Sequence, residues 1–399
     1  MPRRLIRPLI ALGFGLFGLA AVSPVYNTYV PILLHNAGLS ASLVAFVMTW
    51  DNWMNIVIPW WVGRESDRRW TRIGRRKPWI LVGAVLALTF VLIPLTGTLP
   101  AMLLAIFLTS LGLAIARAPG LALLGDLFPA RTRSVASGVI NVFGGLGAVL
   151  ALFGSGFLFG ISPAAPFLFA GALLLIGGGI LLWGVQEHRE QHTDTAKAED
   201  GFWVQLRALG QGNRSGLYLL IAIFFSFAGF NAAETWLSSY AYFSLGVSES
   251  QLPLFMAIFA GTLLLAAIPS GMLASRWGRK RMAFGGMIAL TVLLAAGLFV
   301  RTPMGLAVLL APAGAAWAPI LVNTLPLLYD VGGEQRMGSL TGLYYVSASL
   351  AAVLGPQVVG WAVDASGGSY QIVWAFAAVF MALGAVVLLR VRVDRPIQH

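Results

Sequence analysis

Three ionisable residues, Asp51, Arg117 and Glu234, stand inside long apolar runs of a 399-residue chain. Each charge at the centre of a bilayer costs about 2.5–3.5 kcal/mol on an insertion scale, so three are expensive unless they face a wet cavity or each other. Burial disfavours the charged form of a carboxylate, so an acid there can hold a proton in one state and release it in another. We therefore expect Asp51 and Glu234 to be proton-linked acids whose charge Arg117 balances. A purely structural ion pair of either acid with Arg117 is the alternative.

Polar and aromatic side chains accompany these charges at helical spacing. Asn231, Glu234 and Ser238 lie three to four residues apart and therefore share one helix face. A sugar has hydroxyl groups that need hydrogen-bond partners and apolar ring faces that stack on aromatic rings, so this mixture suits a sugar, as it suits many amphipathic solutes. The residues that we expect to bind a substrate are Tyr26, Asn27, Asn55, Arg117, Asn231, Trp236, Trp317, Asn323 and Tyr345.

The composition is that of a membrane protein. Hydrophobic residues make up 58% of the chain and charged residues 10%, and the mean hydropathy is +0.82. A soluble domain carries about 25% charged residues. Apolar runs of about 20 residues recur and predict membrane-spanning helices rather than a barrel. Twelve helices are predicted, at 8–34, 40–64, 78–96, 101–125, 134–160, 164–185, 215–244, 251–274, 282–300, 304–328, 338–363 and 371–391.

The net charge of +11 reflects orientation rather than a nucleic-acid partner. Nearly all Lys and Arg fall in loops on one side of the predicted spans, with Arg117 and Arg301 as exceptions. The positive-inside rule then places both termini in the cytoplasm, and the basic loops can contact anionic lipid. We interpret 1–23 as a retained first helix. The chain has no cysteine, and His188 and His192 lie in a polar linker, so neither a metal site nor a cofactor is expected.

One sequence motif occurs twice along the chain. A glycine- and arginine-rich loop at 63–77 returns at 271–281, and Gly74 and Gly278 are 204 residues apart, as are Asp126 and Asp330. The repeat predicts an N-terminal six-helix bundle at 1–185, a cytoplasmic linker at 186–213 and a C-terminal six-helix bundle at 214–399. In a membrane protein such symmetry indicates a transporter whose halves rock around a central site.

The repeated loop also suggests a gate. Gly63 would let the helix end approach a neighbour closely, and Asp67 could cap a helix or pair with an arginine, whereas the second copy has Ser275 at the matching position. The loop resembles the signature of the major facilitator superfamily between its second and third helices. The residues assigned to this gating motif are Gly63, Asp67, Arg68, Gly74, Arg75, Arg76, Asp126, Arg276 and Arg279.

A finer resemblance follows from two longer stretches. Residues 51–78, from Asp51-Asn52 to Lys77-Pro78, resemble the glycoside–pentoside–hexuronide:cation symporters and the related sucrose- and maltose-type proton symporters, and 314–364 are similar to the bacterial members of the sucrose-type branch. The resemblance implies an all-α membrane protein of twelve transmembrane helices in two pseudo-symmetric six-helix bundles, the major facilitator fold, with a mid-membrane site between them. In melibiose-type relatives two acids on the second helix bind the cation. Asp51 matches the first of these acids and Asn55 replaces the second, which favours a proton over sodium.

These observations together predict proton-coupled import of a disaccharide or other glycoside by alternating access. The expected protein is a monomer of the bacterial inner membrane with a small molecule and protons as its ligands. Proton-driven export of amphipathic compounds and sodium-coupled sugar symport remain alternatives. A membrane enzyme is disfavoured because all four histidines lie in loops or at the terminus, and a non-transporting sensor would bind a ligand without uptake.

Overall fold

A computed structural model describes residues 3–128, 130–187, 214–332 and 337–392. Within these ranges the chain is helical, with a single isolated β-bridge between Thr71 and Gly74. Twelve helical spans of the described ranges are long and apolar enough to cross a membrane, which confirms the predicted number and the all-α membrane class. The helices are α1 Arg3–Asn36, α2 Ala41–Met48, α3 Trp50–Arg68, α4 Lys77–Ala87, α5 Leu99–Leu127, α6 Ala130–Phe159, α7 Ala165–Gly184, α8 Ser215–Ser239, α9 Leu252–Trp277, α10 Arg279–Gly297, α11 Pro303–Gly332, α12 Met337–Ala365 and α13 Ile372–Leu389.

Three of the predicted helices are interrupted. The second consists of α2 and α3, which are separated at Thr49, where the backbone has φ −96° and ψ 2°. The third continues from α4 into a 3₁₀ helix, Leu88–Leu95, which contains Pro94. Proline has no N–H to donate to an α-helical ladder, so a tighter turn is tolerated there. The seventh continues from α8 into a π-helical turn, Tyr240–Ser244.

The chain forms two compact units. The first contains 1–39, 47–194 and 248–257. In it α1 packs mainly against α6 and α7, while α5 packs against α3 and α4. Leu9, Leu123 and Leu181 belong to a buried apolar cluster that joins these helices. This packing fixes α3 and α5, which carry Asp51 and Arg117.

The second unit contains 40–46, 195–247 and 258–399, and its first helix packs on its fifth and sixth helices, as in the first unit. Here α8 packs mainly against α12 and α13, and α10 packs against α11 and α13. The first helix of each predicted repeat thus contacts the fifth and sixth helices of its own repeat. The predicted boundaries at 185 and 214 stay predictions, because 188–213, with both linker histidines, lie outside the described residues.

Candidate functional site

Asp51 and Arg117 lie near enough to interact electrostatically within the first unit. Asp51 lies half-buried in the first turn of α3, and its Oδ1 accepts a hydrogen bond from Asn52 Nδ2 at 3.0 Å. Arg117 lies in α5, is exposed in the protein without its membrane, and acts electrostatically on Asp51. With both groups ionised, their formal charges cancel.

Two buried polar atoms beside this pair have no hydrogen-bond partner within the part of the chain that the structure describes. Tyr26 of α1 is 6% exposed, and its hydroxyl comes near Ser110 of α5 and within the field of Asp51 without hydrogen-bond geometry. Asn55 lies one turn after Asp51 on the same face of α3, and its Oδ1 is buried and unpartnered. A buried polar atom without a partner costs about 1–3 kcal/mol, so native structures usually satisfy it with a protein group, water or a ligand.

Polar residues of the second unit lie on α8. Asn231 is half-buried, and its Nδ2 donates to Phe227 O at 2.7 Å, within its own helix. Glu234 follows three residues later and is also half-buried. In the first unit, Asn27 of α1 is half-buried as well, beside the buried Tyr26. The side chains of Asn231, Glu234 and Asn27 are therefore all partly accessible, each within its own unit.

The predicted aromatic and amide residues of the second unit divide into packed and open ones. Trp236 is fully buried, and its Nε1 donates to Pro356 O at 3.1 Å. Trp317 is 1% exposed and stacks on Phe230 with ring centroids 4.2 Å apart and planes 4° apart. Asn323, on the same helix as Trp317, is buried and donates to Pro319 O within that helix at 2.9 Å.

Tyr345 differs from these packed residues because it is 58% exposed. It lies on α12, and its ring meets that of the buried Tyr344 edge to face at 5.5 Å. The other three aromatic residues predicted to bind substrate, Tyr26, Trp236 and Trp317, are buried, so Tyr345 is the one of the four whose side chain is mostly exposed. Trp236 and Trp317 are both packed against neighbouring side chains and backbone of the second unit.

The loop between α3 and α4 holds a four-residue ion network. Arg75 Nη2 lies 2.8 Å from Asp126 Oδ1, and Arg76 Nε lies 3.2 Å from Asp126 Oδ2. Both arginines also contact Asp67 Oδ1. Arg76 further bonds Ser66 Oγ. The side chains of Arg75 and Arg76 are only 10% and 6% exposed, whereas Asp67 is 54% exposed. The predicted pairing of Asp67 with arginine is present, and Arg68 is exposed.

The predicted role of Gly63 is wrong. A side chain at Gly63 would meet no atom within 4 Å, so no neighbouring helix comes close to this glycine in the structure. Its carbonyl oxygen instead accepts a hydrogen bond from Ser66 Oγ at 2.9 Å, within the last turns of α3. Arg76 Nη1 reaches the same oxygen at 3.4 Å. Gly63 therefore serves the network through its backbone.

Glu187 also contacts the loop between α3 and α4, although the sequence placed it in a polar linker. Its carboxylate accepts backbone N–H bonds from Arg75 at 2.8 Å, Arg76 at 3.0 Å and Lys77 at 3.0 Å. These N–H groups open α4 and have no acceptor within the helix, and a carboxylate at a helix N-terminus also interacts favourably with the helix dipole. Gly74, at φ +118°, turns the chain beside this carboxylate, and a side chain there would collide with it.

The second copy of the loop retains one element of the network. Arg279 Nη1 contacts Asp330 Oδ1 at 2.5 Å, and these residues are the repeat equivalents of Arg75 and Asp126. Both side chains of this second pair are more than a third exposed. Ser275 Oγ bonds Met272 O within its own helix, and Arg276 is exposed. The ion pair is therefore repeated, while the second acidic partner is present only in the first copy.

Similarity to known proteins agrees with this architecture. The family model described as Major Facilitator Superfamily matches residues 9–261 and 219–399. The chain belongs to the Major Facilitator Superfamily. It is therefore a multi-pass membrane protein and a secondary transporter rather than an enzyme, with a small molecule as its substrate. Neither the glycoside–pentoside–hexuronide branch nor the sucrose-type branch is identified by these matches.

One relative and two solved structures illustrate the range of similarity. The chain is 26% identical over 180 residues to the uncharacterized MFS-type transporter YfkL of Bacillus subtilis (strain 168), a match that spans 45% of each protein. A mutant form of the nucleoside transporter NupG superposes with a TM-score of 0.76 at 16% identity over 96% of this chain and 99% of that one. A bacterial homolog of the human lysosomal transporter Spinster, inward-facing and unoccupied, gives 0.72 at 14% identity over 98% and 95%. At these identities the structures establish the fold alone.

Proposed function

We propose that this transporter imports a sugar, a disaccharide or other glycoside, together with a proton by alternating access. The observation that carries the proposal is the group formed by Asp51, Arg117, Tyr26 and Asn55 in the first unit. It combines one acid, one base and two unpartnered buried polar atoms within membrane-spanning helices of the described chain.

The charges of this group favour a neutral substrate. Because Arg117 balances Asp51, an anionic or cationic substrate would leave a net charge in a region where each charge costs about 2.5–3.5 kcal/mol. A neutral ligand with hydroxyl groups avoids that cost. It also supplies a donor to Asn55 Oδ1 and a partner to Tyr26 Oη, the two atoms of this group that lack one among the described residues.

The same group supports coupling to a proton. A proton on Asp51 leaves Arg117 without its counter-charge and makes the carboxyl a donor, so protonated and ionised forms present different hydrogen-bonding patterns to a ligand. A substrate that binds the protonated form better shifts the equilibrium towards it, and the proton reciprocally raises the affinity for that substrate. Asp51 is followed at the next turn by the amide Asn55, so of these two neighbouring positions only Asp51 carries a titratable acid.

In the second unit, we assign Glu234 as a further proton-linked acid and Asn231 as a substrate ligand on the same helix face. Tyr345, which is 58% exposed, supplies a ring on which a sugar face can stack. Trp236, Trp317 and Asn323 are buried in the packing, and we assign them to holding these helices in place.

Proteoliposomes that hold a pH-sensitive dye test the proposal. Mono- and disaccharides and nucleosides are added outside in turn, to vesicles with wild-type protein, Asp51→Asn, Glu234→Gln or Glu249→Gln. The last variant removes an acid that lies outside the assigned group and is the matched control. We expect acidification of the lumen that depends on a sugar, persists in Glu249→Gln and is lost in Asp51→Asn.

The alternatives give different results in the same vesicles. Uptake of sugar driven by a sodium gradient, with no change in lumenal pH, would replace the proton by sodium. If no sugar changed the lumenal pH and amphipathic drugs instead drove protons out of the lumen, import would be contradicted and the protein would be an exporter.

A further inference from the structure

Asn141 is an exposed amide side chain within α6, one of the membrane-spanning helices of the first unit. It is the only Asn or Gln between 130 and 159. Its Nδ2 donates to Ser137 Oγ, one turn earlier, at 3.4 Å, and no described residue donates a hydrogen bond to its Oδ1. A polar side chain is costly against lipid, so polar residues of membrane helices usually face a neighbouring helix or a water-filled cavity. The surroundings of Asn141 distinguish these positions.

The packed side and the lipid-facing side of α6 both lie away from Asn141. On the packed side, a side chain at Gly147 would collide with Phe17 O of α1. Large apolar side chains mark the lipid-facing side, where Leu146 and Phe157 are 56% and 83% exposed. At about 100° per residue, Asn141 stands about 120° around the helix from Gly147 and about 140–160° from these two apolar side chains. It therefore belongs to a third face of α6.

This third face is open and lined by small residues. Gly138 lies three residues before Asn141 and Gly145 four residues after it, so all three share a face. A side chain at either glycine would meet no atom within 4 Å. A face that carries an amide and two glycines in place of large apolar side chains suits water or a substrate better than lipid.

Arg117 of α5 lies at the same depth as Asn141. Only residues 128 and 129 separate α5 from α6, as in an antiparallel helical hairpin. Arg117 lies ten residues before the last residue of α5, and Asn141 lies eleven residues after the first residue of α6. At about 1.5 Å per residue, they stand about 15 Å and about 16 Å from the connection. Arg117 is exposed, and a side chain at Gly120, one turn later, would meet no atom within 4 Å, so α5 is also open at this level.

The ion network of the loop relates this level to Asn55 of the proposed binding group. Asp67 of α3 and Asp126 of α5 both bond Arg75, so they mark one depth. Asn55 lies twelve residues before Asp67, and Arg117 lies nine residues before Asp126. The helical rise then places Asn55 and Arg117 about 18 Å and about 14 Å from that depth. The two levels are about 4 Å apart, so one substrate can contact both.

We propose that Asn141 is a specificity residue of the substrate site, and that its Oδ1 accepts a hydrogen bond from a substrate hydroxyl to which Arg117 donates. Because Nδ2 is bonded to Ser137, the amide oxygen is the atom presented to a ligand. A guanidinium is a donor only, whereas a hydroxyl can accept and donate at the same time. A carboxylate can only accept, so it would leave Asn141 Oδ1 without a donor. The pair therefore selects a hydroxyl-bearing ligand, an inference that deepens the proposed function and rests on it.

The internal repeat places the proposed sugar-stacking residue at the equivalent position of the second unit. Tyr345 lies 204 residues after Asn141, and Gly342 lies 204 residues after Gly138. Tyr345 is 58% exposed, and a side chain at Gly342 would meet no atom within 4 Å. The equivalent open helix face therefore carries a hydrogen-bonding group in the first unit and an aromatic ring in the second.

Because the chain has no cysteine, single introduced thiols can show whether this face meets water. Asn141→Cys and Leu146→Cys are each reconstituted in lipid nanodiscs, and labelling by the charged reagent 2-sulfonatoethyl methanethiosulfonate is timed without substrate. We expect Asn141→Cys to react about ten times faster than the lipid-facing Leu146→Cys or more, because a charged reagent does not enter lipid. Equally slow labelling of the two thiols would overturn the proposal.

Uptake of labelled sucrose, maltose and melibiose by proteoliposomes tests the binding role. Asn141→Leu keeps the size of the side chain but removes the acceptor, and we expect it to raise KM about three- to tenfold with a smaller change in kcat, the effect of losing one hydrogen bond. Asn141→Gln retains an amide oxygen and should raise KM less. The control Val142→Leu changes the neighbouring side chain, which is 62% exposed, and should keep the wild-type KM.

The outcomes separate this inference from the proposed function. An unchanged KM in Asn141→Leu, while the wild type takes up a sugar, would overturn the role of Asn141 and leave the proposed function standing. Absence of uptake of every sugar by the wild type would contradict the proposed function itself, and the role of Asn141 in binding a sugar would be overturned with it.

Discussion

Removing the same charge from two repeat-equivalent ion pairs should have unequal effects. Asp126→Asn acts on a carboxylate that bonds both Arg75 and Arg76, whose side chains are 10% and 6% exposed. The asparagine retains one acceptor oxygen, but its amide group then faces the second arginine, and donor meets donor. Asp330→Asn acts on a pair in which the arginine is 44% and the aspartate 36% exposed.

The expected magnitudes follow from these contacts. A hydrogen bond to a charged group contributes about 1.5–3 kcal/mol, and breaking a buried ion pair costs about 3–5 kcal/mol. Asp126 is 27% exposed, which screens its interactions, so we expect Asp126→Asn to lower the free energy of unfolding by about 2 kcal/mol. An exposed pair contributes about 0–1 kcal/mol, and we expect about 0.5 kcal/mol for Asp330→Asn.

Equilibrium unfolding by denaturant in detergent micelles, followed by tryptophan fluorescence, measures the difference. Both variants neutralise one aspartate in equivalent loops, so they share the same change in net charge. A loss for Asp330→Asn as large as that for Asp126→Asn would refute the argument from burial. It would mean that the two loops contribute equally to stability despite their different contacts.

Further predictions concern a cap, a hydrogen bond and a phenol. Glu187→Ala should lower the thermal unfolding midpoint, because three N–H groups at the start of α4 lose their acceptor. The control Gln186→Ala changes an exposed side chain and should leave the midpoint unchanged. Trp236→Phe should lower the free energy of unfolding by about 1 kcal/mol through loss of the Pro356 hydrogen bond, with substrate affinity retained in equilibrium binding. Because the pKa of Tyr370 is raised to about 12, the protein should lose stability as pH rises from about 10 to 12, and Tyr370→Phe should flatten that fall in unfolding measurements made across this range.

Much of the fold could be predicted from the sequence because hydrophobic runs and loop charges report directly on membrane helices. The predicted seventh helix, 215–244, matches α8 together with its π-helical turn, and the predicted fifth, 134–160, ends within one residue of α6. The break at Thr49 could not be predicted, since neither glycine nor proline marks it. The carboxylate of Asp364, 323 residues along the chain from Ala41, accepts hydrogen bonds from Ala41 N and Ser42 N at the start of α2, a contact that no local pattern indicates.

The site was less predictable because a side chain's depth and partners depend on tertiary packing. Trp236 and Trp317 have the residue types of a sugar site, but both side chains are fully packed in this structure, a depth that the sequence does not indicate. Glu187 looked like one charge among many in a polar linker, although it caps α4. The available signal was Gly74, a glycine at a helix start whose sequence offers no capping side chain of its own.

The measurement that tests the proton role of Asp51 most directly compares two modes of transport in one preparation. Proteoliposomes with Asp51→Asn are assayed for sugar accumulation driven by an imposed pH gradient, and for exchange of labelled against unlabelled sugar at equal pH. Because exchange returns the carrier without release of its proton, we predict that exchange is retained and that gradient-driven accumulation is lost. Accumulation at the wild-type level would contradict the assignment of Asp51 as the proton-linked acid, and loss of both modes would make it a residue of substrate binding instead.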